Sequence, residues 1–154
     1  MLGERVRALL MEHGVHYDVH AHRTAYTTAE TAEAEHVPGG QVAKVVMVMA
    51  DDELVMAVIP GDRRLDLDKL RDVLNAGTVR LATEDEFAPS FPDCEKGAEP
   101  PFGAIYELPM VVDEGLQSEQ ITFNAGSHDE AITIARTDYM ELTKARVAAL
   151  TTRH

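Results

Sequence analysis

The period of the apolar positions changes several times along the chain, and each change marks an element. Leu2, Val6, Leu9 and Leu10 recur at helical spacing, so residues 4–13 are expected to form a helix that Gly14 ends. From His16 to His20 the period drops to two around Tyr17 and Val19, which reads as a short strand. Thr27 with Glu30 three residues on is a capping-box pattern opening a helix to about Glu35, and Pro38-Gly39-Gly40 breaks it. Residues 42–50 and 54–60 are valine-rich runs separated by Asp51-Asp52-Glu53, the pattern of a hairpin. Both of its faces are apolar, which places the pair centrally in a sheet. Leu67, Leu70, Val73 and Leu74 form one helical stripe after Asp66, and Asn75-Ala76-Gly77 ends it. Residues 78–82 read as a strand, and Thr83 with Glu86 opens a short helix to about Ala88.

Residues 89–103 contain Pro89, Pro92, Pro100 and Pro101 and the single cysteine, Cys94, and are expected to be an irregular loop. Strands follow over residues 110–113, 120–124 and 131–135, then a terminal helix over 138–146. Strands and helices mix without a regular βαβ beat. The expected fold is therefore α/β of the α+β type, with a mixed, barrel-like central sheet surrounded by helices.

Length and composition narrow the class. A chain of 154 residues fits one domain, 1–154, with one sizeable core. Hydrophobic residues at 45% and charged residues at 27% are ordinary for a globular protein. No apolar run approaches the ~20 residues of a membrane span, and the charged N-terminal segment is unlike a signal peptide. One cysteine permits no internal disulfide. These features point to the cytoplasm and away from a membrane partner. The net charge of −13 is opposite to that of a generic DNA-binding protein. Arg63, Arg64, Lys69 and Arg71 are close in sequence and form either a local basic patch or a solvated loop and helix face.

Lys44 is the residue richest in chemical information. It is the only polar side chain between Val42 and Val48, on the face shared by Val42, Val46 and Val48. An unpaired ammonium in that setting is costly, so it either marks a strand edge or faces a polar pocket. In the segment Gly97-Ala98-Glu99-Pro100-Pro101-Phe102-Gly103, paired prolines stiffen the backbone between flanking glycines. This is either a rigid connection or a wall presented to a ligand. Gly126, Ser127 and His128 at the end of a strand read as a turn or as donors beside a pocket. Asp113 either caps the turn Glu114-Gly115-Leu116 or orients a neighbouring group. His13, His16, His20 and His22 lack a carboxylate or thiol that would complete a zinc pattern, so no metal is expected. Cys94 has no neighbour that would make it a nucleophile. No phosphate-binding loop, dinucleotide fingerprint or nucleophile elbow is present.

Taken in order, Gln41-Val42-Ala43-Lys44-Val45-Val46, residues 55–62, Arg64-Leu65-Asp66, residues 97–103, Val112-Asp113-Glu114 and Asn124-Ala125-Gly126 resemble the YbaK-type domain. This is the aminoacyl-tRNA deacylase domain also found as the editing insertion of bacterial prolyl-tRNA synthetases. The resemblance covers roughly residues 15–142. It implies a free-standing, cytoplasmic enzyme that hydrolyses the ester of a mischarged tRNA, a small amino acid on proline tRNA. It implies no cofactor, and as partners the tRNA acceptor end and a synthetase. The family's lysine falls on Lys44 and its carboxylate on Asp113, as the catalytic pair. Its proline-glycine loop falls on Pro100, Pro101, Phe102 and Gly103. Its glycine loop falls on Gly126, with Ser127 and His128 beside it.

The sequence also departs from two branches of the family. Val45 stands where the alanine-specific branch commonly has asparagine, and Ser127-His128-Asp129 replaces a longer glycine-rich loop of the cysteine-specific branch. The preferred amino acid is left open. The mechanism implied is attack of water on the ester carbonyl, with amides of the Gly126 loop or the Pro-Gly loop as oxyanion donors and Lys44 as an anchor. A non-catalytic module that binds an aminoacyl adenosine or docks on a synthetase is the competing class.

Overall fold

The computed structural model describes residues 2–153. Helix α1 (Glu4–Glu12) buries Val6 and Leu10 and leads into strand β1 (Tyr17–Ala21). Helix α2 (Thr28–Glu35) starts at Thr27, whose Oγ1 accepts the Glu30 N–H at 3.1 Å. That bond satisfies one of the helix's free amides, as the capping pattern requires. After a 3-10 turn at Gly39–Gln41, β2 (Ala43–Ala50) and β3 (Glu53–Pro60) form the expected hairpin, with Met47 opposite Met56.

Strand β4 (Arg63–Leu65) precedes α3 (Leu67–Leu74), where Asp66 Oδ1 accepts the N–H groups of Asp68 and Lys69. Strand β5 (Val79–Leu81) runs into α4 (Glu84–Phe87), which has the full reciprocal capping box between Thr83 and Glu86. The remaining elements are β6 (Met110–Asp113), β7 (Gln120–Asn124), β8 (Glu130–Ala135), α5 (Arg136–Thr143), β9 (Arg146–Ala148) and β10 (Thr151–Arg153).

The largest sheet has the order β5-β2-β3-β6-β9. Its β3-β6 and β6-β9 pairings are parallel and the others antiparallel, so it is mixed, with the hairpin at its centre. An antiparallel sheet β1-β8-β7 and a ribbon β10-β4 complete the set. Among the described residues, the β-type linkage between the two larger sheets is one isolated bridge, Val42 to Thr122.

Strand alternation gives the central hairpin two apolar faces. On one, Met47, Met56 and Val58 join Phe102, Phe123, Ile132 and Tyr139 in a single cluster. The Phe102 ring meets Phe123 at 5.4 Å and Tyr139 at 5.3 Å, both edge-on. Such pairs add roughly 0.5–1.5 kcal/mol each beyond the area they bury. On the other face, Val48, Val55, Ala57 and Ile59 pack under Leu70 of α3 and Leu150.

Three features differ from the sequence reading. The terminal helix runs from Arg136 to Thr143, not 138 to 146, because Lys144 takes a left-handed φ of 48° and Arg146 already belongs to β9. The three-residue strands β4 and β10 were not expected. The proline-rich loop contains a 3-10 turn at Ala88–Ser90 and runs into another at Gly103–Tyr106. Among the described residues no helix is long and apolar enough to cross a membrane.

One detail of the sheet positions the site. Strand β5 covers the outer edge of β2 only from Val48 to Ala50. The first half of β2 is left facing the start of α2, the end of β7 and the 97–99 segment.

Candidate functional site

A cavity of about 230 Å³ lies at that open edge. Tyr26, Thr27 and Thr28 line it from the start of α2, Ala43, Lys44 and Val45 from β2, Gly97 and Glu99 from the loop, and Asn124 from the end of β7. Its size is below the ~300–1,000 Å³ of sites that engulf a drug-sized molecule, so it suits one small moiety.

The polar groups here are not paired with one another. Lys44 is half-buried and makes no hydrogen bond or ion pair with any described residue. Glu99 is buried, with Oε2 accepting the Gly97 N–H at 2.7 Å. Burial pushes its carboxyl pKa up, against the opposing pull of backbone amides and His128. Asn124 Oδ1 is buried and has no donor.

The backbone contributes as well. Val42 O accepts the Gly61 N–H at 2.8 Å, so Val42 and, two residues on, Lys44 turn their backbone groups toward β3. Ala43 and Val45 therefore turn theirs toward the uncovered edge. Val45 thus brings an amide N–H to the cavity.

His128 holds the wall behind these groups. It is buried, with Nδ1 3.2 Å from Ala25 O and Nε2 2.7 Å from Lys96 O, and its backbone N–H donates to Glu95 Oε1 at 2.9 Å. Its ring lies 4.8 Å from that of Tyr26, tilted by 49°. Tyr26 itself is 72% exposed at the mouth. Gly97 has φ +85°, and a Cβ there would sit 3.3 Å from His128 Cε1, so this loop residue passes close over the imidazole.

The other sequence-predicted site residues lie elsewhere or are engaged. Pro101 O accepts from Tyr139 Oη at 2.8 Å, and Phe102 is buried in the aromatic core. Gly103 lines a separate, more apolar cavity of about 330 Å³ against Leu142–Arg146, which contains no carboxylate. The Phe102 N–H bonds to Pro100 O, the Gly103 N–H points at Met110 Sδ, and the Gly126 N–H bonds to Ala98 O. These amides, expected as oxyanion donors, are already occupied. Ser127 is buried and donates to Asp129.

The structure does not bring Asp113 to Lys44. The Asp113 carboxylate accepts from Leu150 N at 2.8 Å, Thr151 Oγ1 at 3.1 Å and Gly115 N at 3.0 Å, with Arg63 Nη1 at 3.7 Å. It caps the turn and ties the β9–β10 segment to the sheet. Three of the four basic residues between Arg63 and Arg71 are likewise engaged, and Arg64 is exposed. Lys69 donates to Thr151 O, and Arg71 lies beside Asp68 and Asp72. Cys94 has its thiol pushed up to about 12, chiefly by burial, which keeps it protonated at neutral pH. Among the described residues no group of three or more His, Cys, Asp or Glu side chains is placed to hold a metal ion.

Residues 22–142 match the family model of the aminoacyl-tRNA editing domain. The chain belongs to this family. The multifunctional Ser/Thr-tRNA deacylase ProXp-y of Escherichia coli (strain K12) is 27% identical over 145 residues, covering 90% of this chain and 86% of the relative. The proline–tRNA ligase of Lactobacillus gasseri is 36% identical over 88 residues, 57% of this chain but 15% of the ligase. A solved structure of a candidate trans-editing enzyme for prolyl tRNA synthetase superposes with a TM-score of 0.85 at 25% identity, covering 97% of this chain and 96% of that one. The chemistry of such editing domains is hydrolysis of the aminoacyl-tRNA ester bond. Of the cavity-lining residues, sequence reasoning did not single out Tyr26, Thr28 or Glu99. Glu99 was visible only as a carboxylate inside the proline-rich segment.

Proposed function

We propose that this chain is a free-standing, cytoplasmic deacylase, one editing domain over residues 1–154, that removes a small amino acid from the acceptor end of a mischarged tRNA. The observation that carries this reading is the free Lys44 ammonium in a 230 Å³ cavity of a chain from the editing family. Similarity to proline–tRNA ligases supports proline tRNA as the substrate. The Ser/Thr-tRNA deacylase relative supports a hydroxylated small amino acid.

Water attacks the ester carbonyl, and negative charge develops on its oxygen. The Val45 N–H at the uncovered edge would be a backbone donor for that oxyanion. Lys44 grips the phosphate, ribose or carbonyl by charge-assisted hydrogen bonds. Leaving its charge unpaired in the free protein keeps it available for the substrate. Large side chains are excluded by volume, the stronger form of steric selection.

The test is hydrolysis of alanyl-, seryl-, threonyl- and cysteinyl-tRNA by the native chain and by Lys44→Ala. The native chain is expected to deacylate at least one, and Lys44→Ala to lose about 100-fold in kcat/KM, the scale of a lost charge-assisted contact in the transition state. Absence of hydrolysis across the panel, with binding retained, identifies the non-catalytic module instead.

A further inference from the structure

We propose that Glu99 and Asn124 form a receptor for the α-ammonium group of the aminoacyl moiety, opposite the Lys44 anchor. The ligand's identity rests on the deacylase reading. The receptor itself rests on two independent observations in one cavity. Glu99 is 6% exposed, and no described cation lies within ion-pair distance of it, although Lys44 lines the same cavity. Asn124 Oδ1 is a buried acceptor without a donor. A buried carboxylate and an orphaned carbonyl oxygen together ask for a group that is cationic and rich in N–H.

An aminoacyl ester carries that group. Its α-ammonium is one carbon from the ester carbonyl, has three N–H donors and is present whatever the side chain. Bound between Glu99 and Asn124, it fixes which way the ester faces. Lys44 repels the ammonium and attracts the phosphate or the carbonyl oxygen, so the two charged groups read the two ends of the ligand with opposite sign. The backbone supports this division. The Gly97 N–H holds Glu99 Oε2 at 2.7 Å, and Gly97 lies over the fixed His128 ring, so the carboxylate is positioned before the ligand arrives.

The arrangement predicts discrimination by the α-substituent. An α-hydroxyacyl ester keeps the size and loses the charge. An N-acetylated aminoacyl ester loses the charge and adds bulk to a cavity of about 230 Å³. Free aminoacyl groups are accepted, and blocked ones, such as a peptidyl group, are refused.

Non-hydrolysable amides of 3′-amino-3′-deoxyadenosine measure this without turnover. Alanyl and seryl amides are compared with their α-hydroxy counterparts by calorimetry. The native chain is expected to bind the α-amino compound about 30- to 100-fold more tightly, the range of a charged hydrogen-bonded contact. Glu99→Gln keeps an acceptor for the Gly97 amide and is expected to cut that preference to under about 3-fold, with melting temperature unchanged. Asn124→Ala is expected to reduce it about 5-fold, as loss of one neutral acceptor does.

Equal binding of the two compounds by the native chain, no binding of either, or a preference that survives in Glu99→Gln overturns the proposal. A merely structural Glu99 weakens both compounds alike, and a general-base Glu99 lowers kcat with the ratio unchanged; either result also overturns it. An intact preference in a chain that hydrolyses no aminoacyl-tRNA sinks the deacylase reading and leaves the receptor standing.

Discussion

Asp113 and Lys44 are both charged side chains at the ends of central strands, and the protein treats them in opposite ways. Asp113 accepts three hydrogen bonds and faces Arg63, while Lys44 has no partner among the described residues. A satisfied buried charge is worth most when one partner is removed, since the rest are then stranded. An unsatisfied one contributes little to the fold and is available to a ligand. In this molecule, completeness of hydrogen bonding, more than burial or motif, is what distinguishes the Asp113 carboxylate from the Lys44 ammonium.

The sharpest way to break that comparison is Asp113→Ala. It is expected to destabilise by about 3–5 kcal/mol, the usual result of opening a buried charged network. Thermal melting should fall by roughly 10 °C or more in a chain of this size. Activity per folded molecule should change less than about 3-fold, because a charge outside the cavity contributes little to transition-state binding. A full loss of activity in folded protein would place Asp113 in the chemistry and end the contrast.

Lys44→Met is the mirror experiment. Activity should drop by about 100-fold, ~2.7 kcal/mol of barrier, while the melting temperature holds or rises slightly. A marked loss of stability would mean that the ammonium has a structural partner after all.

Gly97→Ala probes the cavity wall. The residue needs φ +85° and a close pass over His128. Left-handed backbone costs a non-glycine residue roughly 1–2 kcal/mol, and the added methyl presses on the imidazole. Deacylation should fall about 10-fold, with KM rising more than kcat falls, as expected when the wall moves and the reacting groups stay. An unchanged KM would separate the loop from the ligand.

The smallest effect belongs to a third kind of charge, paired yet exposed. Glu86 is held at about 2, down from 4.5, first by the Arg80 guanidinium and then by the Thr83 amide. A depressed carboxyl pKa contributes stability that is full above about 4.5 and is lost as pH falls toward 2. The melting difference between the native chain and Arg80→Ala should therefore be small near neutrality, shrink over that acid window, and shrink with salt.

The sequence was most informative where a local rule decides the structure. Thr27, Asp66 and Thr83 cap helices as their spacing implies, because a cap needs only its own next three residues. The hairpin and its central place followed from two apolar faces. Strands β4, β9 and β10 were illegible because a run of only three residues forms a strand when a neighbour supplies the ladder. The end of α5 was missed because Lys144, not glycine, takes the left-handed turn.

Lys44 stood out as a lone cation in an apolar run. Glu99 and Tyr26 did not, since their significance arises only when α2, β2 and the 97–99 segment converge. The proline-glycine loop drew attention for its stiffness. Its Phe102 went into the core, while its first residues, Gly97 and Glu99, reached the cavity.

The exposed Tyr26 ring on its buried imidazole support has a practical consequence. The chain has no tryptophan and four tyrosines, of which Tyr106 and Tyr139 are buried, Tyr17 is partly covered and Tyr26 is the most exposed. Ultraviolet emission from the native protein that a dissolved quencher can reach should therefore come largely from the doorway of the cavity. A nucleotide entering there would shield or extinguish that light. The molecule carries its own optical gauge of occupancy, readable without a label.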